Sequence, residues 1–330
     1  MKKAIYFRVL NYTESNLALI ESYFDCITLN DPSEIDEEIL RDVVLLFAPL
    51  GFVFDKDIFS SAPHLKVVAS NTTSVPHINL DHAKRSGIKV FSLKDETKFL
   101  NSITPTAEMT IALVLSITRN LIPAVNSVKN GEWIRWNYGG KKMLSRMSIG
   151  IVGLGRLGRM VANYANAFGL DVYYYDPYVD TDQYFLNRLS SLEELVASVD
   201  IVTIHVHTTP ETVHMFNEEI FSQFKRGGYF INTSRGELVV SEALIQALDA
   251  GIVGGAALDV LDGEFEKDFS NTTSVHPLVL YSKEHDKLII TPHIGGSTED
   301  AWHLTQRYVI TQSVSYIHGK SFDELIDFDF

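Results

Sequence analysis

Short apolar runs rich in β-branched and aromatic residues alternate with segments of helical periodicity along the first hundred residues. The runs predict buried strands, the second weaker than the others, at 4–9, 25–29, 43–48, 65–70 and 88–92. Apolar residues at helical spacing predict helices between them at 16–23 and 80–85. Because helices separate the strands, the pattern favours a parallel α/β sheet.

The pattern changes after residue 100, where a long apolar helix is predicted at 106–120. The next stretch, 121–143, carries Trp133 and Trp136. A second series of apolar runs then predicts strands at 149–152, 171–175, 201–206, 229–232, 255–260 and 288–291. Two series predict two doubly wound domains, and a chain of 330 residues is too long for one ordinary core.

Composition narrows the class of protein. With 45% hydrophobic and 21% charged residues the chain is globular rather than disordered, and its net charge of −14 disfavours a nucleic acid or an anionic membrane as partner. The single cysteine, Cys26, excludes an internal disulfide. The apolar run after Lys2 and Lys3 is too short for a signal peptide, and we expect no membrane span. These features predict a cytoplasmic protein.

The sharpest local signal opens the second series, in the sequence Gly153-Leu154-Gly155-Arg156-Leu157-Gly158. A predicted strand precedes it and a helix pattern, 159–168, follows, which is the context that a dinucleotide-binding turn requires. Gly153 permits the tight turn, Gly155 lets the backbone approach a pyrophosphate, and Gly158 lets the helix pack against the sheet. The amides of Arg156 and Leu157 lie where a helix N-terminus holds phosphates.

Asp176 ends the next predicted strand, about 20 residues after the glycines, where a carboxylate accepts hydrogen bonds from an adenosine ribose. Its charge opposes a 2′-phosphate and so favours NAD over NADP. A strand-end turn before Pro177 is the structural alternative for this residue. The glycines and Asp176 together predict NAD as the cofactor.

Further polar residues follow three of the predicted strands of the second series. Arg235 follows 229–232, Asp259 and Glu264 lie at and beyond the end of 255–260, and His293 follows 288–291. Alone, each is more typical of an exposed charge, and the other histidines show no metal-ligand spacing. Together they supply a guanidinium that can bind a substrate carboxylate, a histidine that can act as acid and base near neutral pH, and a carboxylate that can orient the histidine.

With these motifs the sequence resembles the D-isomer-specific 2-hydroxyacid dehydrogenases, a family that includes glycerate, lactate and phosphoglycerate dehydrogenases. The resemblance runs from about residue 65 to 312 and is strongest at 149–158, 232–236, 255–264 and 291–298. It implies a Rossmann NAD-binding domain at 101–296, inserted into a flavodoxin-like substrate-binding domain made from 1–100 and 297–330. It also implies that the helix 106–120 and the arm after it form a homodimer.

The resemblance further implies roles for individual residues. Arg235, Glu264 and His293 match the family's catalytic arginine, glutamate and histidine. Asp259 matches the aspartate beside the nicotinamide amide, and Thr233 of the Arg235 motif is also assigned to the cofactor. The implied reaction is reversible hydride transfer between NADH and a small 2-oxo acid.

The sequence departs from the family pattern in several places. Thr72-Thr73-Ser74 replaces a Gly-Val-Gly turn, so the backbone amides of Thr73 and Ser74 are the candidates for the substrate carboxylate. His207 replaces a proline along the cofactor cleft and is assigned to the cofactor site. Phe265 replaces the proline after Glu264 and opens a long segment, 265–287, which is either a surface loop or a lid.

Other functions remain open at this point. A phosphoglycerate dehydrogenase presents a basic residue to the phosphate, whereas 47–51 contains none. A dinucleotide-sensing corepressor on this fold is a second alternative, although the set Arg235, Glu264 and His293 is complete. Formate dehydrogenase, a third, has glutamine where this chain has Glu264. We therefore expect an unphosphorylated substrate.

Overall fold

The computed structural model describes residues 1–140, 142–181, 183, 185–266 and 269–326. It divides into two units, the first made of Met1–Ile103 and the segment from Thr298 onward, the second of Thr104–Ser297. The assignment of one unit to substrate and the other to nucleotide does not follow from this division. Parts of three segments discussed above lie outside the described residues: 327–330 of 297–330, residue 141 of 121–143, and 267–268 of 265–287.

Parallel strands and helices alternate through both units. The strands are β1 Lys2–Phe7, β2 Phe24–Leu29, β3 Val43–Phe47, β4 Val67–Ala69, β5 Lys89–Phe91, β6 Ser148–Val152, β7 Asp171–Tyr175, β8 Leu186–Arg188, β9 Ile201–Ile204, β10 Gly228–Asn232, β11 Val253–Leu258 and β12 Leu288–Ile290. The α-helices are α1 Glu14–Tyr23, α2 Glu37–Leu40, α3 Lys56–Ser61, α4 Leu80–Arg85, α5 Thr97–Leu100, α6 Pro105–Thr118, α7 Leu121–Lys129, α8 Arg156–Ala167, α9 Leu192–Ser198, α10 Glu218–Ser222, α11 Ser241–Asp249, α12 Phe269–Thr272, α13 Pro277–Glu284, α14 Glu299–His318 and α15 Phe322–Leu325.

The first unit is built on a parallel sheet in the order β2-β1-β3-β4-β5, which is the flavodoxin-like order. Every residue of β3 is buried, as expected for a central strand covered on both faces. Helix α14 packs against α1, β4 and β5 of this sheet and places Ile310, Val314 and Ile317 in its core. The segment after residue 297 therefore completes the first unit rather than extending the second.

The second unit is a parallel sheet in the order β12-β11-β10-β9-β6-β7-β8. The chain runs outward from β6 through β7 and β8, then returns to the other side of β6 and continues through β9 to β12. This is the Rossmann arrangement with one additional strand, and its ligand crevice lies outside the carboxyl ends of the strands where the order reverses, between β6 and β9. Hydrophobic cores cover both faces of the sheet.

Helix α6 explains the long apolar segment in the sequence. By length and composition, Thr97–Thr118 is apolar enough to cross a membrane, contrary to our expectation that no segment would be. In the structure α6 instead packs against α8, β10 and β11 and buries Ala107, Val114 and Ile117 in the core. The helix that the resemblance assigns to the dimer contact is therefore largely part of the core of the second unit. It ends at Thr118, and Asn120 adopts the left-handed conformation with φ 49°.

The segment 265–287 is folded where the structure describes it. It contains α12 and α13, and α13 buries Leu278 in the core of the second unit. This packing anchors the second half of the segment to the unit.

Candidate active site

The glycine turn between β6 and α8 is closed so tightly that side chains are excluded at two positions. Gly153 has φ +90°, and a Cβ there would lie 2.6 Å from Val206 Cγ1. A Cβ on Gly158 would lie 2.1 Å from the carbonyl oxygen of Gly153. At Gly155, by contrast, a Cβ would meet nothing within 4 Å, so the backbone borders open space at the start of α8. That space and the first amides of a 12-residue helix fit a pyrophosphate.

Asp176 is buried beside this turn with 8% of its surface exposed. Its Oδ2 accepts a hydrogen bond from the amide of Leu154 at 2.8 Å, within the glycine turn. Its Oδ1 accepts from the amides of Tyr178 at 2.8 Å and Val179 at 3.0 Å. The structure thus shows Asp176 organising both the turn after β7 and the glycine turn, and its role toward a ribose stays a prediction.

The end of β9 brings a histidine to the glycine turn that the sequence did not single out. A Cβ on Gly153 would lie 2.7 Å from the carbonyl oxygen of His205, and the imidazole Nε2 of His205 is 3.0 Å from Thr203 Oγ1. Burial lowers the pKa of His205 to about 4, so its ring is neutral at neutral pH. His207 lies two residues further on and is exposed; its carbonyl oxygen accepts from Thr212 Oγ1 at 2.7 Å. Its contact with the cofactor stays a prediction.

Arg235 is held at the end of β10 by its own loop. The side chain of Asn232 donates to the carbonyl oxygen of Arg235 at 2.8 Å and accepts from the amide of Ser234 at 2.9 Å. Arg235 Nη1 donates to the carbonyl oxygen of Ser234 at 2.7 Å. The hydroxyl of Thr233 lies 2.8 Å from that of Thr110. These bonds fix the direction in which Arg235 leaves the strand.

Asp259 is 1% exposed and lies beneath the loop that carries His293. Its Oδ1 accepts from the hydroxyl of Thr291 at 2.5 Å and from the amide of Ile294 at 3.0 Å. Its Oδ2 accepts from the amide of Gly295 at 2.6 Å. The carboxylate therefore holds both sides of the loop, and the contact it would make with a nicotinamide stays a prediction.

Two of the predicted catalytic groups, His293 and Glu264, lie within hydrogen-bond distance of each other. Nδ1 of His293 lies 2.9 Å from Oε2 of Glu264, and the side chains are 36% and 11% exposed. Glu264 Oε1 is buried without a hydrogen-bond partner among the residues that the structure describes. His293 also has φ +52°, a left-handed conformation that is uncommon outside glycine. The glutamate thus fixes the ring by one nitrogen and leaves the other for an external group.

Phe265 connects this pair to Arg235. Its ring centroid is 5.6 Å from that of His293, and Arg235 Cζ lies 6.0 Å from it. The three residues predicted to be catalytic, at the ends of three neighbouring strands, are therefore gathered around one aromatic ring. The sequence had identified Phe265 only as a departure from the family pattern.

The predicted substrate loop lies in the first unit, after β4. Thr73 is exposed and Ser74 is half-buried. The hydroxyl of Thr72 donates to the carbonyl oxygen of Ser74 at 2.7 Å and lies 3.0 Å from the hydroxyl of Ser70. These side-chain hydrogen bonds stabilise the loop. The role of the Thr73 and Ser74 amides stays a prediction.

Comparison with known proteins identifies the family. Residues 111–295 match the model of the D-isomer specific 2-hydroxyacid dehydrogenase, NAD binding domain. The chain belongs to this family. The second unit contains the NAD-binding domain of a 2-hydroxyacid dehydrogenase, and the α/β fold with two parallel sheets agrees with that assignment.

Relatives of this 2-hydroxyacid dehydrogenase family member carry several names. It is 35% identical over 285 residues to a D-3-phosphoglycerate dehydrogenase of Bacillus subtilis, covering 86% of this chain and 51% of the relative. It is 34% identical over 294 residues to a glyoxylate reductase of Thermofilum pendens, covering 86% and 82%. The chain thus spans about half the length of the phosphoglycerate dehydrogenases that it matches.

A solved structure extends the similarity to both units. The D-lactate dehydrogenase of Aquifex aeolicus, complexed with NAD and lactic acid, has a TM-score of 0.79 and 26% identity, covering 98% of this chain and 97% of that one. These relatives differ in the substrates that their names state, so family membership leaves the substrate of this dehydrogenase family member open.

Proposed function

We propose that this chain is an NAD-dependent oxidoreductase that interconverts a small, unphosphorylated 2-oxo acid and the corresponding D-2-hydroxy acid. The observation that carries the proposal is the cluster of Arg235, Glu264 and His293 around Phe265. It lies beyond the carboxyl ends of β10, β11 and β12, at the same edge of the sheet as the glycine turn. The glycine turn and the pair of His293 and Glu264 thus belong to the same unit.

The roles of the three side chains follow from their chemistry. When bound, the nicotinamide supplies the hydride in reduction. Arg235 presents a planar guanidinium that pairs with the substrate carboxylate and polarises the carbonyl. His293, protonated, gives the proton on Nε2 to the carbonyl oxygen and becomes neutral. Glu264 accepts from Nδ1 and keeps Nε2 directed to the substrate.

The groups proposed to hold NAD surround the glycine turn. The backbone of Gly153, Gly155 and Gly158 leaves room for the pyrophosphate, and the amides of Arg156 and Leu157 donate to it. We assign Asp176 to the adenosine ribose. Further along the crevice, we assign His207, Thr233 and Asp259 to the cofactor, with Asp259 acting chiefly through the loop that it holds.

An unphosphorylated substrate is proposed because no basic residue occurs at 47–51 or 72–74. A net charge of −14 also gives no general attraction for a dianion. The similarity to D-3-phosphoglycerate dehydrogenases favours a second candidate, the phosphorylated substrate. The two candidates differ in whether the enzyme prefers phosphohydroxypyruvate or an unphosphorylated 2-oxo acid.

We further propose a homodimer. Trp133 is 87% exposed and Trp136 is 80% exposed, and Leu121, Ile122, Val125 and Val128 of α7 are also exposed. So much exposed apolar surface on one stretch is typical of an interface, and two-fold pairing is the commonest closed assembly. We place the enzyme in the cytoplasm on the strength of its single cysteine.

The test is a panel of 2-oxo acids assayed with NADH at the nicotinamide absorbance: pyruvate, 2-oxobutanoate, 2-oxopentanoate, glyoxylate, hydroxypyruvate and phosphohydroxypyruvate. His293→Ala is expected to lower kcat by roughly 10²–10⁴-fold with little change in NADH affinity. His64→Ala, at an exposed histidine of the first unit, is the control and keeps wild-type turnover. Near-normal turnover of His293→Ala contradicts the mechanism, a preference for phosphohydroxypyruvate contradicts the substrate, and NADH binding without any turnover favours a sensor.

A further inference from the structure

We infer that Phe265 determines substrate specificity, and that it favours 2-oxo acids with a short apolar side chain over those with a polar one. The inference rests on the proposed function and goes further, because it names the substrate group that the ring recognises. Phe265 is not one of the family's catalytic residues, and it occupies a position where the family pattern has proline.

The Phe265 ring lies beside both groups that are proposed to bind the substrate. Its centroid lies 5.6 Å from the His293 ring and 6.0 Å from Arg235 Cζ. In the proposed mechanism both groups bind the same small molecule, Arg235 at its carboxylate and His293 at its carbonyl oxygen. A ring in contact with both borders the volume beside the reacting carbon, where the substrate side chain is attached.

The Phe265 ring is held in place by its turn and is still accessible. The turn that carries it is closed by a bond from the amide of Glu264 to the carbonyl oxygen of Leu261 at 3.3 Å. A second bond runs from the amide of Glu266 to the carbonyl oxygen of Gly263 at 2.8 Å. Leu261 is itself buried in the core. Phe265 nevertheless keeps 37% of its surface exposed, so part of the ring remains available for contact.

The chemistry of the ring gives the direction of the preference. Phenylalanine offers no hydrogen bond to a hydroxyl, and the negative face of its ring repels a phosphate. A methyl or methylene group placed against it leaves water, which is worth about fourfold in kcat/KM for each buried CH₂. We therefore expect kcat/KM to rise from pyruvate to 2-oxobutanoate and 2-oxopentanoate, and to be lower for hydroxypyruvate than for 2-oxobutanoate, which is of similar size.

The experiment compares Phe265→Ala, Phe265→Leu and wild type on pyruvate, 2-oxobutanoate, 2-oxopentanoate and hydroxypyruvate. Phe265→Ala is expected to lower the ratio of kcat/KM for 2-oxobutanoate to that for hydroxypyruvate by about tenfold, chiefly through KM. Phe265→Leu restores an apolar contact and is expected to recover most of that ratio. Phe168→Ala is the matched control, since Phe168 is 46% exposed in the same unit.

The outcomes separate this inference from the proposed function. If Phe265→Ala loses activity equally on all four acids, or keeps the wild-type ratio, the ring does not determine specificity, although the dehydrogenase reaction stands. If the wild type turns over none of the acids with NADH, the proposed function fails and the inference fails with it. Melting temperatures of the variants show that they are folded. Should Phe265→Ala unfold, the wild type still tests the inference, because a higher kcat/KM for hydroxypyruvate than for 2-oxobutanoate contradicts it.

Discussion

The neutral ring of His205 makes the second unit sensitive to acid. Burial lowers the pKa of His205 from its ordinary 6.5 to about 4. Well above pH 6.5 the ring is neutral in the folded and the unfolded chain, so it contributes no pH dependence. Between about pH 6.5 and pH 4 the unfolded chain takes up the proton and the folded chain does not. Stability is therefore lost as the pH falls through this window.

The magnitude follows from the same shift. One pKa unit corresponds to about 1.4 kcal/mol, and between pH 8 and pH 5 the linkage relation gives a loss of about 2 kcal/mol for this single group. That figure is an upper value, since the residue is only partly buried by its accessible surface and keeps some contact with solvent. In His205→Gln the titrating group is gone, and the amide is expected to retain a hydrogen bond to Thr203.

The assay is denaturant unfolding of wild type and His205→Gln at pH 8 and pH 5, with calorimetry to identify the transition of the second unit. Burial also lowers the pKa of His77, His276 and His303, so only the difference between the two proteins isolates His205. Wild type is expected to lose up to about 2 kcal/mol more than the variant on going to pH 5. Equal losses would refute the reasoning, and His64→Gln serves as the exposed control.

Three further predictions concern Gly236, the cofactor preference and the oligomeric state. In Gly236→Ala a Cβ would lie 2.0 Å from the carbonyl carbon of Leu261. We therefore expect at least about tenfold lower kcat and a free energy of unfolding lower by roughly 1–3 kcal/mol. The control Gly139→Ala, where a Cβ meets nothing within 4 Å, is expected to change neither. Wild type is expected to have a higher kcat/KM with NADH than with NADPH, and Asp176→Ala is expected to lower the ratio of the two values. A wild type that uses NADPH equally well would contradict this. Light scattering is expected to give twice the 37.1 kDa chain mass, and Trp133→Glu to shift it toward the monomer; a monomeric wild type would disprove the dimer.

The central elements could be predicted because their patterns are local. Strand β7 and helix α4 have the bounds that the sequence indicated, since an uninterrupted apolar run or a helical spacing defines each of them. The predicted strand 201–206 ends at Ile204 instead, because His205 and Val206 lie beyond the ladder, beside the glycine turn. Helix α14 was not predicted, since the face that it buries mixes polar residues such as Gln306 and Ser313 with apolar ones. Its packing on the first sheet is a tertiary contact that the local pattern does not indicate.

The candidate site could be predicted in residue type but not in geometry. The position of Asp259 at a strand end was evident, yet its bonds to Thr291 and Gly295 join segments more than thirty residues apart. The same holds for Phe265, whose contacts with Arg235 and His293 depend on how three strands are placed side by side. Side-chain contacts across strand ends are set by tertiary structure, for which a local pattern carries no signal.

The packing of α14 on the first sheet has a consequence for synthesis in the cell. The first unit is interrupted after Ile103, and the helix that covers one face of its sheet is translated roughly 200 residues later. At about 5–20 residues per second, the ribosome needs roughly 10–40 s to reach it. During that interval apolar side chains of β1, β3 and β4 lack the helix that buries them. The nascent chain is therefore a candidate for chaperone capture until its last long helix emerges.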